Sequence, residues 1–237
     1  MAGKLFLLPM LLGDSSIDLV IPHEVKNQII SLDTFFAENI KTTRRFLRKI
    51  DKTFNIDGST FIVLDKKSDH AALSEMLQII KNGKDAGIIS EAGLPGIGDP
   101  GSKLVEMAHK ENIQVIPLTG PSSFVLALVA SGLNGQSFAF HGYLPVKQPQ
   151  LDKQIKDIER ISGQQNQTQI FMETPYRNNQ MLKQLIESCH PGTMLCIASN
   201  ITTSEEYIKT KTIQEWKKTQ IDLHKKPTVF ALLKQNR

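Results

Sequence analysis

Cysteine, tryptophan and long apolar runs are all scarce in this sequence, and each scarcity removes a class of protein. Cys189 and Cys196 are the only cysteines. They are too few for a disulfide framework, and no Cys/His pair has the spacing of a zinc site, so no metal is expected. His23, His70, His109, His141, His190 and His224 are scattered without an H-E-x-x-H stretch or a triad-like neighbour, and they read as structural or surface residues. Aromatics make up 6% of the chain, and Trp216, Tyr207 and Phe230 lie away from the basic run, which favours core over a base-stacking platform. The apolar stretch 5–12 falls far short of the roughly 20 residues that span a bilayer and lacks a leader-type cleavage site. It reads as a first buried strand, with no membrane partner expected and a reducing cytoplasm as the compartment.

What is present is an ordinary globular composition. Of 237 residues, 40% are hydrophobic and 22% charged, enough to bury a substantial core in two lobes. The 28 Lys and Arg against 24 acids leave a formal charge of +4, which is compatible with a polyanionic partner without requiring one.

Short β-prone runs at 4–9, 34–37, 60–64, 86–90 and 114–118 alternate with stretches of helical period at 24–30, 41–52, 69–81 and 102–110. Buried parallel strands need helical crossovers, so the alternation predicts a parallel α/β lobe over 1–118. Gly120-Pro121 then breaks the chain, and Ser122 can cap a small-residue helix reaching Gly132. Further strands are predicted at 137–141, 168–172, 193–199, 206–212 and 228–233, with helices at 150–162 and 178–188 and a polar loop at 162–168. Helices thin out toward the end, so the second lobe, 119–237, is expected to carry a mixed sheet.

The segment Ser90-Glu91-Ala92-Gly93-Leu94-Pro95-Gly96-Ile97-Gly98-Asp99-Pro100-Gly101 follows a predicted strand and precedes a helix. Its glycines free the backbone to approach a ligand, although a tight structural crossover is the competing reading. The spacing matches neither G-x-G-x-x-G nor the P-loop pattern. On the run from Lys41 to Lys49, the period of about 3.6 gathers Lys41, Arg45, Arg48 and Lys49 on about half of a helix surface. That face suits phosphates or is simply solvated, and both readings stay open.

The loop resembles the S-D-A-G-x-P-G-[IV]-S-D-P-G signature of the ribosomal RNA small-subunit methyltransferase I family, a branch of the tetrapyrrole methylases. Other stretches match in the same order: Leu5 to Pro9 with Gly13, Ala37-Glu38-Asn39-Ile40-Lys41 with its A-E-D-T-R segment, and Pro117 to Ser123 with its P-x-P-G-P-S-A segment. Phe138 to Pro145 is similar to F-x-F-x-G-F-L-P, and Phe171 to Arg177 to F-x-E-S-P-x-R.

The resemblance implies an α/β fold of two α/β lobes of the tetrapyrrole-methylase type, with S-adenosylmethionine in the cleft between them. Carried over by position, cofactor contacts fall on Pro9, Glu91, Ala92, Gly93, Ile97, Ser122 and Ser123, with Met172, Ala198, Thr228 and Val229 completing the pocket. Glu38 and Glu173 are the catalytic candidates, each able to position or deprotonate the acceptor; alternatively each caps a helix or pairs with Arg44 or Arg177. Asp99 faces substrate or is a turn residue. RNA-facing candidates are Lys41, Arg44, Arg45, Arg48, Lys49 and Arg177. The implied partners are the small ribosomal subunit or its RNA and a second copy of the chain in a homodimer.

The chain departs from that pattern at several points. Asn39 and Lys41 replace Asp and Arg, Asp14 replaces Asn, and Glu91, Leu94 and Gly98 replace Asp, Thr and Ser. Asp65-Lys66-Lys67-Ser68-Asp69-His70 stands where an H-N-E stretch is usual. A lysine cannot fork a phosphate as arginine does. These changes are mainly on the substrate side, so cofactor binding carries over better than acceptor identity. Three activities remain open: 2′-O-methylation of a cytidine in small-subunit ribosomal RNA, methylation of a tetrapyrrole or other small molecule, and cofactor binding without catalysis.

Overall fold

The computed structural model of the chain describes residues 2–235, which divide into two units, Met1–Ser122 and Ser123–Arg237. In the first, β1 (Leu5–Leu8), β2 (Thr34–Ala37), β3 (Thr60–Val63), β4 (Ala86–Ile89) and β5 (Val115–Pro117) alternate with helices. These helices are α1 (Ile17–Val20), α2 (His23–Ile30), α3 (Ile40–Ile50), α4 (His70–Lys81) and α5 (Ser102–Lys110). The strands form one parallel sheet in the order β3-β2-β4-β1-β5. Period-two alternation sends neighbouring side chains to opposite faces. Phe6, Leu8, Phe35 and Ala37 pack with Ile29, Phe46 and Leu47 on the α2–α3 side. Leu5, Phe36, Ala86 and Ile88 pack with Met76, Ile80 and Leu104 on the α4–α5 side.

That strand order contains a topological switch point. The chain leaves β1 toward β2 and leaves β4 toward β5, so two adjacent strands send their connections in opposite directions on opposite faces. The carboxyl ends at such a switch point open a crevice in doubly wound sheets.

The second unit holds α6 (Ser123–Ser131), β6 (Phe138–Tyr143), α7 (Gln150–Gln165), β7 (Thr168–Glu173), α8 (Asn178–Ser188), β8 (Met194–Ser199), β9 (Tyr207–Thr212), α9 (Ile213–Trp216) and β10 (Thr228–Leu233). Its sheet runs β6-β7-β10-β8-β9 and is mixed: β6 and β7 are parallel, and the other pairs are antiparallel. Phe171 stacks on Phe230 at 5.7 Å, and the buried Trp216 indole donates to the Leu195 carbonyl at 2.8 Å.

Residues 162–165 are helix rather than the predicted loop, because Ser162 extends the buried stripe Leu151, Ile155, Ile158 as a small polar member. Its hydroxyl accepts from the Lys234 amide at 2.9 Å, and Asn166 ends the helix in the left-handed region at φ 49°. The short helix α1 has no apolar periodicity long enough to be legible beforehand. Among the described residues no helix is long and apolar enough to cross a membrane.

Candidate functional site

Three loops meet at the carboxyl ends of β1, β4 and β5. Met10 and Gly93 exchange backbone hydrogen bonds, 2.8 Å to the Gly93 carbonyl and 3.2 Å back to the Met10 carbonyl. Gly93 sits at φ +68°, where L side chains are strained, and an added Cβ would lie 3.3 Å from Leu12 and 3.4 Å from the Pro121 carbonyl. A Cβ on Gly120 would fall 2.0 Å from the Pro9 Cβ, so only glycine lets that backbone close on Pro9. The loops after β1, β4 and β5 are thus packed on one another while Glu91 and Ala92 stay exposed.

A fourth loop joins from β2. The Asn39 side chain caps α3 by accepting from the Thr42 amide at 3.2 Å and donates to Glu91 Oε1 at 2.9 Å. In return the Glu91 amide donates to Glu38 Oε2 at 3.1 Å. Glu38 therefore neither caps a helix nor pairs with Arg44; it holds the loop of Glu91.

Asp99 lies at the far end of the same loop. Burial, then the Glu38 charge, push its carboxyl up to about 6, and Ser90 and Lys66 only partly offset this. It lines a cavity of about 230 Å³ with Asp65, Lys66, Ser68, Ser102 and Lys103. A second cavity of about 340 Å³, lined chiefly by Leu7, Ile88, Leu94, Pro95, Ile97 and Val105, lies on the apolar side of the loop. The Asp65–Ser68 turn is where the usual H-N-E stretch is missing, and its place in the Asp99 cavity had no positive signal in the sequence.

In the second unit, Met172, Val229 and Ala198 lie opposite one another on β7, β10 and β8, and Glu173, Thr228 and Ser199 form the next row. Met172, Ala198 and the pair Thr228-Val229, from three separate stretches of sequence, thus belong to adjoining rows at one end of a sheet. Glu173 is buried and its Oε1 accepts from Arg177 at 3.0 and 2.5 Å and from the Thr174 amide at 2.6 Å.

Among the basic residues, Arg44 lies 4.9 Å over the Phe61 ring, and Arg48 donates to the Lys52 carbonyl. Lys49 reaches Asp14 at 3.3 Å and the Ser15 carbonyl at 2.9 Å. Lys41 and Arg45 are exposed, and among the described residues neither side chain has a hydrogen-bond or ion-pair partner.

A switch-point crevice floored by glycine loops defines a ligand-binding α/β protein, and comparison with known proteins narrows the class. The family model of the tetrapyrrole (corrin/porphyrin) methylases matches residues 24–217. The chain belongs to this family and is an S-adenosylmethionine-dependent methyltransferase. It is 30% identical over 234 residues to the ribosomal RNA small subunit methyltransferase I of Buchnera aphidicola subsp. Schizaphis graminum, covering 98% of this chain and 78% of that one. The enzyme of the same name from Buchnera aphidicola subsp. Acyrthosiphon pisum is 31% identical, covering 91% and 73%. The methyltransferase CobJ (18% identity, TM-score 0.63, 98% of this chain and 94% of that one) and a diphthine synthase (15%, 0.64, 98% and 90%) share the fold.

Proposed function

We propose that this methyltransferase modifies the 2′-hydroxyl of a cytidine in small-subunit ribosomal RNA. The observation that carries the reading is the start of α3: Asn39, bonded to Glu91, caps the helix whose first turn presents the unpartnered Lys41, with Arg45 one turn on. Cations for a phosphate backbone therefore begin where the glycine loop lies. The name of the Buchnera relatives, which align over most of this chain, supports small-subunit ribosomal RNA as the substrate class.

In this reading Pro9, Glu91, Ala92, Gly93, Ile97, Ser122 and Ser123 hold S-adenosylmethionine, and Met172, Ala198, Thr228 and Val229 are cofactor contacts proposed from the resemblance alone. The loops fit such a ligand: Gly93 leaves a cradle that a Cβ would narrow, and among the described residues the half-buried Ser122 and Ser123 hydroxyls have no hydrogen-bond partner. The bound cofactor supplies a methyl group on a sulfonium. The chain's own task is alignment, since in-line transfer depends on the geometry of acceptor oxygen, carbon and sulfur. Glu38 positions the Glu91 loop, and Glu173 holds Arg177 for the RNA.

The same reading makes the protein a cytoplasmic homodimer. Val125 and Val129, one turn apart on α6 and 41% and 76% exposed, support a second copy as their cover. Light scattering should return twice the mass of 26.5 kDa; a monomer would remove that part of the reading. The acceptor is tested by incubating unmodified small ribosomal subunits, and naked RNA alongside, with methyl-labelled S-adenosylmethionine. Label in the RNA is expected, and its absence despite cofactor binding would move the activity to another acceptor.

A further inference from the structure

We propose that Asp99 accepts the proton of the acceptor hydroxyl, and that the cavity walled by Lys66, Ser68 and Ser102 seats the sugar-phosphate carrying that hydroxyl. The proposal rests on the RNA reading above and adds to it the group that performs the proton transfer.

Of the carboxylates in the loops that follow β2 and β4, only one is placed for this work. Glu38 Oε2 is engaged by the Glu91 amide, and Glu91 Oε1 by Asn39. In the second unit the Glu173 Oε1 is spent on Arg177 and the Thr174 amide. Asp99 lines a cavity of about 230 Å³, room for a sugar hydroxyl and the groups around it but small for a macrocycle.

The cavity wall suits a sugar-phosphate. Asp65 closes its own turn, accepting from the Lys67 amide at 2.8 Å and the Ser68 hydroxyl at 3.2 Å, which leaves the exposed Lys66 ammonium for a phosphate. Lys103, at the start of α5, also lines the cavity. Asp99 is faced by Glu38 from the β2 loop, Lys66 from the β3 loop, and Ser90 and Glu91 from the end of β4. Burial and the two acids make it a stronger base than an ordinary aspartate, with a pKa closer to working pH.

The step balances. The ribose oxygen bonds to the methyl carbon as the carbon–sulfur bond breaks with its electron pair staying on sulfur, and the hydroxyl proton passes to an Asp99 oxygen and then to water.

The test is methyl transfer to unmodified small subunits across pH 5 to 9, with cofactor affinity measured by calorimetry. Wild type should show an acid limb in kcat/KM near the carboxyl's value of about 6. Asp99→Asn should bind cofactor within about 3-fold of wild type yet lose roughly 10²–10⁴-fold in kcat, the usual worth of general-base catalysis. Asp99→Glu should recover part of that loss. Glu38→Gln should move the limb to lower pH and Lys66→Met to higher pH, shifts that a merely structural Asp99 would not produce. An Asp99→Asn enzyme with wild-type kcat and limb overturns the proposal, as does one that no longer binds cofactor, which would make Asp99 part of the cofactor loop. Wild type that labels no RNA overturns the RNA reading as well, so the two failures are distinct.

Discussion

Asn39 donates to Glu91 across 2.9 Å, while the Glu91 amide donates to Glu38 across 3.1 Å. The loops after β2 and β4 are therefore stitched by two bonds running in opposite directions. The resembled family carries Asp at both the Asn39 and Glu91 positions. Two departures that read separately in the sequence as losses are the two halves of one bond in the structure. Two ionised acids at that spacing would repel, whereas an amide and a carboxylate attract.

Asn39→Asp should keep the cap on Thr42 but lose the donor to Glu91. Cofactor affinity by calorimetry is expected to fall several-fold with little change in Tm, since an exposed bond of this kind is worth about 1 kcal/mol. Adding Glu91→Gln should restore most of the affinity by reversing the polarity of the pair. A double-mutant cycle with no coupling would deny the bond its role in holding the loop.

The glycines of the signature loop differ in what they forbid. Gly93→Val meets both strain and the Leu12 and Pro121 contacts, so cofactor binding should weaken at least 10-fold. Gly98 at φ +78° has nothing within 4 Å of an added Cβ, and Gly98→Ala should cost only the backbone strain, about 1 kcal/mol by thermal denaturation. Equal effects on binding would contradict the Gly93 cradle.

Lys41 and Arg45 are the cations of α3 left free for phosphate. Replacing both with Ala should weaken RNA binding and reduce the slope of log K against log salt by about 1.5, counting roughly 0.7–0.9 per phosphate contact. Arg48→Ala should change that slope little, because its guanidinium is turned to the Lys52 carbonyl. A slope that responds to Arg48 and not to the free pair would shift the RNA face elsewhere.

Asp99 should also leave a mark on stability. Its carboxyl is raised from 3.8 to about 6 in the folded chain. As pH climbs from 3.8 to 6 the unfolded chain ionises first, and above 6 the folded state must hold the charge against burial and Glu38. Asp99→Asn should therefore match wild type below pH 4 and gain about 1 kcal/mol by pH 7.5, after allowance for solvent screening. A stability difference that does not vary with pH would remove the raised carboxyl.

The parallel sheet was legible because buried β-prone runs and helical stretches alternate over 4–118, and only crossovers permit that arrangement. The Gly93 loop stood out because its glycines lie between a strand and a helix, where a ligand loop and a tight crossover are both open to such a sequence. The polar run at 162–168 misled because Ser162, buried and bonded to Lys234, looks like a loop residue until its tertiary neighbour is known. The Asn39–Glu91 bond and the Asp99 cavity were not legible for a related reason. Each joins loops that follow different strands, and only strand order brings those loops to one end of a sheet. Met172, Val229 and Ala198 came from resemblance alone, and their alignment across three strands is a register that no local pattern encodes.

The central claim is tested most directly by digesting RNA from unmodified small subunits, after transfer of labelled methyl, to single nucleosides and identifying the labelled one by mass spectrometry. Label is expected on the ribose of a cytidine at one position, accumulating far more slowly when Asp99 is replaced by Asn. Label on a base, or none in RNA while the cofactor is bound, would contradict it.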